Sequence, residues 1–172
     1  MMMLVIGLGN PGEEYKGTRH NVGYMVVDKL SKDLGLKFSE KGKFNAEIAK
    51  GEEMVLVKPL SFMNKSGEVV SRLVNFYKVS LDDVFIVFDD LDLRLGSFKM
   101  QKSKGPGDHN GLISVEKQLG DDDFWRLRIG IDNRVSREVE GKDYVLSRFG
   151  KEEKKNIDKV IEEVVEKFKK KR

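Results

Sequence analysis

Residues 3–22 of this chain read MLVIGLGNPGEEYKGTRHNV, and the rest of the sequence is organised around them. They open with an apolar run, residues 3–8, which only Gly7 interrupts and which is typical of a strand buried on both faces. Next comes GNPG, residues 9–12, a predicted turn in which glycine permits positive φ and proline fixes the next angle. A polar loop then delivers His20 just before an apolar-periodic helix. Strands of α/β sheets open at their carboxyl ends into loops that form sites, so we expect a site here.

Length and composition indicate a globular protein with a heavily charged surface. The chain has 172 residues, of which 39% are hydrophobic and 35% charged, and we expect one domain over residues 1–172. It contains no cysteine, which excludes disulfides and thiolate metal sites. The N-terminal apolar run is too short to span a membrane and lacks a basic flank, so we expect a cytoplasmic protein without a membrane partner. A net charge of +3 permits a polyanionic partner without requiring one.

Hydrophobic periodicity predicts strands interleaved with helices. A helix with an apolar face begins at Val22 and stops at Gly35, and a hairpin turns around Gly51. The other predicted elements are a helix across residues 69–77, a strand at 84–88 that ends at Asp89, a strand at 97–102, a short helix at 112–119, a strand at 124–131, and a helix at about 151–169 with a basic tail at 169–172. This order predicts an α/β fold, a single-domain three-layer sandwich with a twisted mixed β-sheet flanked by helices.

The glycines at residues 7–12 also fit G-x-G-x-x-G, the fingerprint of dinucleotide-binding proteins. That motif requires a helix N-terminus directly after the glycines, where it holds the pyrophosphate. Residues 13–21 are polar and carry no apolar stripe, and Asp28 lies inside the following helix rather than at the end of a second strand. We therefore reject a nucleotide cofactor.

Amide and histidine side chains cluster in the predicted loops, and these loops converge if they share one edge of the sheet. The residues concerned are Asn10, His20, Asn64, Asp89, His109 and Asn110. Simpler roles exist for several of them: Asn10 suits a turn, and Asn110 suits the N-cap of the short helix. Asp89 with Asp90 and Asp92 forms a candidate Mg²⁺ site, although we expect Asp90 and Asp92 to cap the next turn or face solvent.

Five segments resemble those of bacterial-type peptidyl-tRNA hydrolases, and they occur in the same order and spacing. They are GLGNPGEEYKGTRHNVG at 7–23, KPLSFMNKSG at 58–67, FDDLDLRLG at 88–96, GDHNGL at 107–112 and FWRLRIGI at 124–131. The similarity runs to about Phe149. The resemblance implies hydrolysis of the ester between a peptide and the 3′-terminal ribose of tRNA, without metal or organic cofactor, by a protein that is usually monomeric.

The same resemblance assigns roles to residues. His20 would be the catalytic base and Asp89 its orienting carboxylate. Three asparagines would hold the substrate and the attacking water, and three further side chains would shape the cleft for the peptide and the terminal nucleotide: Asn10, Asn64 and Asn110, then Tyr15, Met63 and His109. The chemistry is adequate, because a histidine with a pKa near ~6.5 takes a proton at neutral pH and side-chain amides donate to an oxyanion. No serine lies in a G-x-S-x-G elbow, which argues against a covalent serine mechanism.

Basic residues of two predicted strands form a candidate tRNA-binding patch: Lys99, Lys102 and Lys104, with Arg126 and Arg128. Arg126 and Arg128 are two apart on a strand and should share a face. In the family a lysine and an arginine hold the 5′-phosphate of tRNA. Arg128 matches the arginine, whereas the lysine position aligns with Gln101, so Lys99 or Lys102 would have to substitute. The alternative for this patch is a merely solvated strand face.

A second function of a different class uses the same cleft. A noncatalytic RNA-binding relative of this fold would bind tRNA without cleaving the ester. The presence of His20, Asp89, Asn10 and Asn64 together favours the enzyme.

Overall fold

A computed structural model describes residues 2–102, 105–136 and 138–171. Lys104 of the candidate patch and Arg172 of the predicted tail lie outside these residues. The strands are β1 Met3–Gly7, β2 Ser39–Lys41, β3 Ala46–Lys50, β4 Met54–Pro59, β5 Val84–Arg94, β6 Phe98–Lys102 and β7 Trp125–Asp132. The α-helices are α1 Val22–Leu34, α2 Ser66–Tyr77, α3 Asn110–Leu119, α4 Gly141–Val145 and α5 Lys151–Lys171.

The strands form one mixed sheet in the order β2-β3-β4-β1-β5-β7-β6. Its centre is parallel, because β1 pairs with β4 and β5, and β5 pairs with β7. Both edges are antiparallel, through β2–β3–β4 on one side and β6–β7 on the other. Every residue of β1 is buried, as its unbroken apolar run predicts for a central parallel strand.

Helices cover both faces of the sheet. Val5 of β1 packs in an apolar layer under α1 and α5, whereas Leu4 and Ile6 pack in a second layer under α2 and α3. Alternation of side chains along a strand therefore divides β1 between two cores. The predicted three-layer α/β sandwich is confirmed. None of the helices in the described part of the chain combines the length and apolar character that crossing a bilayer requires.

Four elements differ from prediction. The strand predicted to end at Asp89 continues to Arg94, because Asp89 and Asp90 pair with Ile129 and Gly130 of β7. The short strand β2 was not predicted, because all three of its residues are exposed and show no apolar pattern. The helix α4 was not predicted either, because it has only five residues. The predicted basic tail is helical through Lys171, since α5 includes those lysines.

Two glycines bring the start of α1 against the sheet. A Cβ at Gly7 would overlap the carbonyl of Gly23, and a Cβ at Gly23 would overlap the backbone of Leu8 and Val87. Only glycine permits such an approach of two backbones. The first glycine of the G-x-G-x-x-G pattern thus serves helix–strand packing, and it places the turn before α1 beside the end of β1.

Candidate active site

His20 lies on a short 3₁₀ turn, Arg19–Asn21, that leads directly into α1. Its Nδ1 is 2.8 Å from Oδ2 of Asp89, a residue 69 positions away and buried in β5. The imidazole and the carboxylate that the sequence singles out therefore lie within hydrogen-bond distance. The His20 side chain keeps 12% of its surface exposed, so the ring is reached from the cleft.

His109 binds the other oxygen of the same carboxylate. Its Nε2 is 2.8 Å from Oδ1 of Asp89, and its Nδ1 accepts a hydrogen bond from the backbone N–H of Leu112 at 3.2 Å. Because Nδ1 accepts, the proton of a neutral His109 is on Nε2 and is donated to Asp89. His109 is therefore the N-cap of α3. The N-cap role suggested for Asn110 is wrong, since Asn110 is the first residue of the helix.

The same reasoning fixes the tautomer of His20. An ionised carboxylate only accepts hydrogen bonds, so Nδ1 of His20 carries the proton that Asp89 binds. In a neutral ring the lone pair is then on Nε2. Within the described residues, no hydrogen bond occupies that nitrogen. His20 thus presents a free proton acceptor, whereas both nitrogens of His109 are committed.

Charge and burial act together on these groups. Burial lowers the pKa of His20, but the charge and the hydrogen bond of Asp89 more than offset this, and the pKa lies above the ordinary 6.5. Burial also raises the pKa of Asp89, but the two histidines outweigh it and hold that pKa well below its ordinary value. Asp89 is therefore a carboxylate at neutral pH, and it favours the protonated form of His20.

Asn10 is held by its neighbours on both sides. Its backbone N–H donates to Oδ1 of Asn21 and its carbonyl accepts from Nδ2 of Asn21, both at 2.9 Å. Its own side-chain Oδ1 accepts from the backbone N–H of Met63 at 2.8 Å. Among the described residues nothing binds the donor Nδ2 of Asn10, which is therefore available to a ligand. The sequence analysis did not predict this role of Asn21. The only indication of it was that the residue at the end of the turn is an asparagine.

The 3₁₀ turn Met63–Lys65 carries two more of the expected residues. Met63 is buried and lies against Gly111 of α3, whereas Asn64 is exposed. Phe62, which the sequence reading left without a role, is 59% exposed and meets the Tyr15 ring edge-on, with 6.5 Å between centroids. Tyr15 and Phe62 form an aromatic pair beside this turn.

A cavity of about 730 Å³ joins most of these side chains. Its lining includes the following residues predicted from sequence: Asn10, His20, Met63, Asn64, Asp89, His109, Asn110 and Arg128. Tyr15, Lys99 and Lys102 do not line it. The volume lies within the range of small-molecule and peptide-binding pockets, roughly 300–1,000 Å³.

A metal ion would have to compete with hydrogen bonds already present. Ligand atoms of His20, Asp89 and His109 lie within 4.8 Å of one another, a grouping of the kind that holds metals. However, the two imidazoles direct N–H donors, not lone pairs, at the carboxylate. In the suggested Asp89–Asp90–Asp92 site, Asp90 is bound to Arg128 and to the backbone of Asp92. In both sets, ligand atoms that a metal would need are therefore already engaged in hydrogen bonds.

The two arginines of β7 are not a solvated pair. Arg126 is completely buried, with its guanidinium paired to Glu116 and stacked 4.2 Å over the Phe124 ring. Arg126 and Arg128 share a face of β7, as predicted. The prediction that Arg126 belongs to a surface patch is wrong, because Glu116 of α3 and the carbonyl of Asp122 bind its guanidinium in the interior. The apolar residues next to Arg126 in the sequence gave no indication that its charged side chain is buried.

Arg128 is also largely buried, and both arginines line the cavity. Its Nε donates to Oδ2 of Asp90 at 2.6 Å and its Nη1 donates to Oε1 of Gln101 at 2.8 Å. Lys99 is the cross-strand neighbour of Arg128 and is exposed on the same face of the sheet. Lys102 pairs with Trp125 on the opposite face and is bound to Asp82 and Asp123. Of the two lysines, Lys99 is therefore the one beside Arg128.

The fold and the cleft together define an α/β protein whose strand ends present a histidine–carboxylate pair. Comparison with known proteins identifies the family to which this α/β protein belongs. Residues 4–171 match the family described as "Peptidyl-tRNA hydrolase". The chain is 46% identical over 169 residues to the peptidyl-tRNA hydrolase of Caldanaerobacter subterraneus subsp. tengcongensis, covering 96% of this chain and 90% of that protein. It is 43% identical to the one of Bacillus cytotoxicus, covering 94% and 88%.

Solved structures agree with these relatives. The crystal structure of peptidyl-tRNA hydrolase from Acinetobacter baumannii superposes with a TM-score of 0.92 at 32% identity, covering 98% of this chain and 87% of that one. The chain belongs to the peptidyl-tRNA hydrolase family, and the resemblance seen in the sequence is confirmed.

Proposed function

We propose that this protein hydrolyses the ester bond between peptide and tRNA in peptidyl-tRNA, which frees the tRNA for reuse. Membership of the family and the names of its relatives support the reaction. The observation that carries it within the chain is the placement of His20 Nδ1 on the Asp89 carboxylate, with Nε2 left open toward the cleft. This is the arrangement that a general base requires.

In the proposed reaction, Nε2 of His20 takes a proton from a water molecule as the water oxygen bonds to the ester carbonyl carbon. The imidazolium that forms is stabilised by the Asp89 carboxylate. When the tetrahedral intermediate breaks its bond to the ribose oxygen, the imidazolium returns the proton to that oxygen. The products are tRNA with its hydroxyl restored and a peptide carboxylic acid, which releases its proton to solvent at neutral pH.

The developing negative charge on the carbonyl oxygen needs a donor. Nδ2 of Asn10 is the candidate, because its Oδ1 is already bound to the Met63 N–H and its backbone is locked to Asn21. A donor fixed in advance costs no reorganisation during the reaction, and one such donor is worth about 3–4 kcal/mol of barrier. Asn64 and Asn110 line the same cavity and can bind peptide amides of any sequence, since each side chain both donates and accepts.

The acceptor end of tRNA is proposed to lie across β7. Arg128 and Lys99 share a face there and would supply positive charge for the 5′-phosphate. His109 and Met63 line the cavity and would bound the region of the terminal nucleotide and peptide, and Tyr15 would extend this boundary through its contact with Phe62. Asp90 neutralises part of the Arg128 charge, so the phosphate contact should be modest and salt-sensitive. Lys102 is left out of this proposal because it lies on the opposite face.

The remaining parts of the proposal concern the setting. We propose that the protein acts as a monomer, in the cytoplasm where ribosomes make peptidyl-tRNA, and without metal or organic cofactor. In the proposed reaction His20, oriented by Asp89, both takes the proton of the water and returns it to the leaving oxygen, so no cofactor is needed for the proton transfers. The chain over residues 1–172 is proposed to act as one domain.

The test is incubation of the purified protein with an N-blocked aminoacyl-tRNA labelled on its amino acid, in the presence of EDTA. The proposal predicts release of the label from tRNA at a rate that EDTA does not change. A noncatalytic RNA-binding relative would retain the tRNA and release no label, which would contradict the proposal. Loss of activity with EDTA and its recovery with one added divalent ion would overturn the metal-free mechanism.

A further inference from the structure

Arg19 precedes His20 in the 3₁₀ turn, yet its side chain runs away from the cleft into the protein. Only 6% of the residue is exposed. Nη1 donates to Oγ of Ser147 and, at 2.9 Å, to the carbonyl of Arg148, and Nη2 binds Oε1 of Glu153 at 2.7 Å. A guanidinium with three acceptors from a single distant segment is a strong, directional anchor.

Aromatic rings complete the pocket around this guanidinium. Its central carbon lies 4.0 Å from the centre of the Tyr144 ring and 5.5 Å from that of Phe149. Stacking of a desolvated guanidinium on an aromatic face adds to the ionic contacts. Burial raises the pKa of Glu153, but Arg19 and the Gly150 N–H outweigh it and leave that pKa below its ordinary value, so Glu153 is a carboxylate.

Backbone contacts tie the same two segments together. The N–H of Arg19 donates to the carbonyl of Ser147 at 3.0 Å, and Thr18 forms an antiparallel bridge with Arg148. On the other side of His20, Asn21 is locked to Asn10. The turn Arg19–Asn21 is therefore held from two directions: Arg19 fixes it to the loop after α4 and to the start of α5, and Asn21 fixes it to the loop after β1.

We propose that Arg19 is a positioning residue, whose guanidinium holds the turn at the angle that brings the His20 imidazole onto Asp89. The geometry that carries this is the adjacency of Arg19 and His20 on a turn of three residues, where a shift of one residue moves the next. A reacting group displaced by about 1 Å can lose about 10²-fold in rate. The role in turnover rests on the proposed function, but the His20–Asp89 contact can be measured without turnover.

The first experiment uses Arg19→Gln, which keeps a polar side chain but removes the fork and the charge. We expect kcat to fall by about 10- to 100-fold, with KM changed by less than about twofold, because the turn moves but the substrate cleft does not. In parallel, NMR titration of the imidazole protons should show the pKa of His20 falling toward 6.5, since contact with Asp89 is what raises it. Groups facing His20 in this titration are Asp89 of β5 and His109 at the start of α3.

Arg134→Gln is the matched control. Its guanidinium lies over the same Tyr144 ring, at 5.5 Å, and its described hydrogen bonds go to Asp132 and Val139 and not to the turn Arg19–Asn21. Both variants remove a stacked, carboxylate-bound arginine from one neighbourhood. The control should leave kcat and the His20 titration at their wild-type values even if it lowers the melting temperature.

Arg19→Lys covers the case in which Arg19→Gln does not fold. Lysine keeps the positive charge next to Glu153 but cannot also bind Ser147 and Arg148. The kcat and the pKa of His20 should therefore lie between those of the wild type and those of Arg19→Gln. A folded Arg19→Lys or Arg19→Gln variant with wild-type titration and wild-type kcat would overturn the proposal. A wild-type enzyme that releases no label, combined with a shifted His20 titration in the variant, would refute the proposed function and leave the positioning role standing.

Discussion

The 3₁₀ turn Arg19–Asn21 and the start of α3 each bring one histidine to the carboxylate of Asp89, and the two histidines differ in how their rings are used. His20 and His109 are both 2.8 Å from an oxygen of Asp89, and their side chains are similarly buried, at 12% and 9% exposed. The difference is at the other ring nitrogen. In His109 that nitrogen accepts the N–H of Leu112 and caps a helix, whereas in His20 it is left open.

The comparison teaches that distance to a carboxylate does not identify a base. What decides is whether the backbone has already used the second nitrogen. In His109 the second ring nitrogen, Nδ1, accepts a hydrogen bond from one of the N–H groups that lack a partner at the start of a helix. His20 can leave it unused because Arg19 and Asn21, not the imidazole, hold its turn in place. Within this short segment, Arg19 and Asn21 hold the backbone in place, and His20 is left for the proposed proton transfer.

Removing the open imidazole should have the largest effect. His20→Ala should lower the single-turnover rate of ester cleavage by about 10⁴-fold, the upper range for a general base. Binding of tRNA should stay near the wild-type value, because no phosphate contact is lost. Rates are measured with the protein in excess over labelled N-blocked aminoacyl-tRNA, and binding is measured on deacylated tRNA. A rate within tenfold of the wild type would remove His20 from the mechanism.

Asp89→Asn should cost between about 10²- and 10³-fold in kcat. An asparagine oxygen can accept from one histidine only, and its NH₂ group must face the other as a donor. The two imidazoles then compete, and the tautomer with Nε2 open is no longer enforced at His20. Steady-state kinetics check the loss, and Asp83→Asn, in the 3₁₀ turn Leu81–Asp83 that precedes β5, is a charge-matched control. Undiminished turnover in Asp89→Asn would reject the orienting role.

The pH dependence follows from the raised pKa of His20. The base must be neutral, so kcat/KM should fall about tenfold per unit as the pH drops below the pKa of His20, which lies above 6.5. In Asp89→Asn that midpoint should move to lower pH. The free energy of unfolding responds to pH in the opposite direction. The extra stability that protonated His20 gains from Asp89 is fully present below pH 6.5 and is lost as the pH rises through the raised pKa of His20. A wild-type rate profile with its midpoint below 6.5 would contradict the pairing.

Changes at His109 separate the cap from the support of Asp89. His109→Ala should lower the free energy of unfolding by about 1 kcal/mol through the lost N-cap, and kcat by about tenfold through the lost support of Asp89. His109→Asn restores a capping oxygen but not the reach to Asp89. Denaturant unfolding should therefore recover in the asparagine variant while kcat does not. If activity and stability recovered together, the histidine would act only as a cap.

The smallest effect is expected at the phosphate patch. Lys99→Ala should weaken tRNA binding a few-fold and lower the slope of log K against log salt by about 1. Lys102→Ala is the matched control, because that lysine lies on the other face and is bound to Asp82 and Asp123. Equal effects of the two substitutions would place tRNA elsewhere. A chemical step measured under single turnover should be unchanged in both.

Local patterns predicted much of this molecule. The apolar run of β1, the helix α1 with its stop at left-handed Gly35, and the buried strands follow from periodicity and turn chemistry alone. Features that depend on a partner distant in the sequence could not be predicted from local patterns. Asp90 continues a strand because β7 lies beside it, and Arg126 is internal because Glu116 and Phe124 receive it.

The site shows the same division. Motif resemblance singled out His20 and Asp89, but the cap by His109, the lock of Asn21 on Asn10 and the anchor of Arg19 depend on hydrogen bonds across 3 to 134 positions. Single residue types in loops carry no signal for such contacts. What sequence could not supply was the direction in which each polar atom points.

Because the chain contains two histidines, their tautomers can be read from one spectrum. Long-range ¹H–¹⁵N correlation NMR on uniformly ¹⁵N-labelled protein, recorded above the pKa of His20 and assigned with the His109→Asn variant, resolves both rings. We predict a proton on Nδ1 with a bare Nε2 in His20, and a proton on Nε2 with a bare Nδ1 in His109. A His20 ring protonated on Nε2 would leave it without a lone pair for water and would contradict the mechanism.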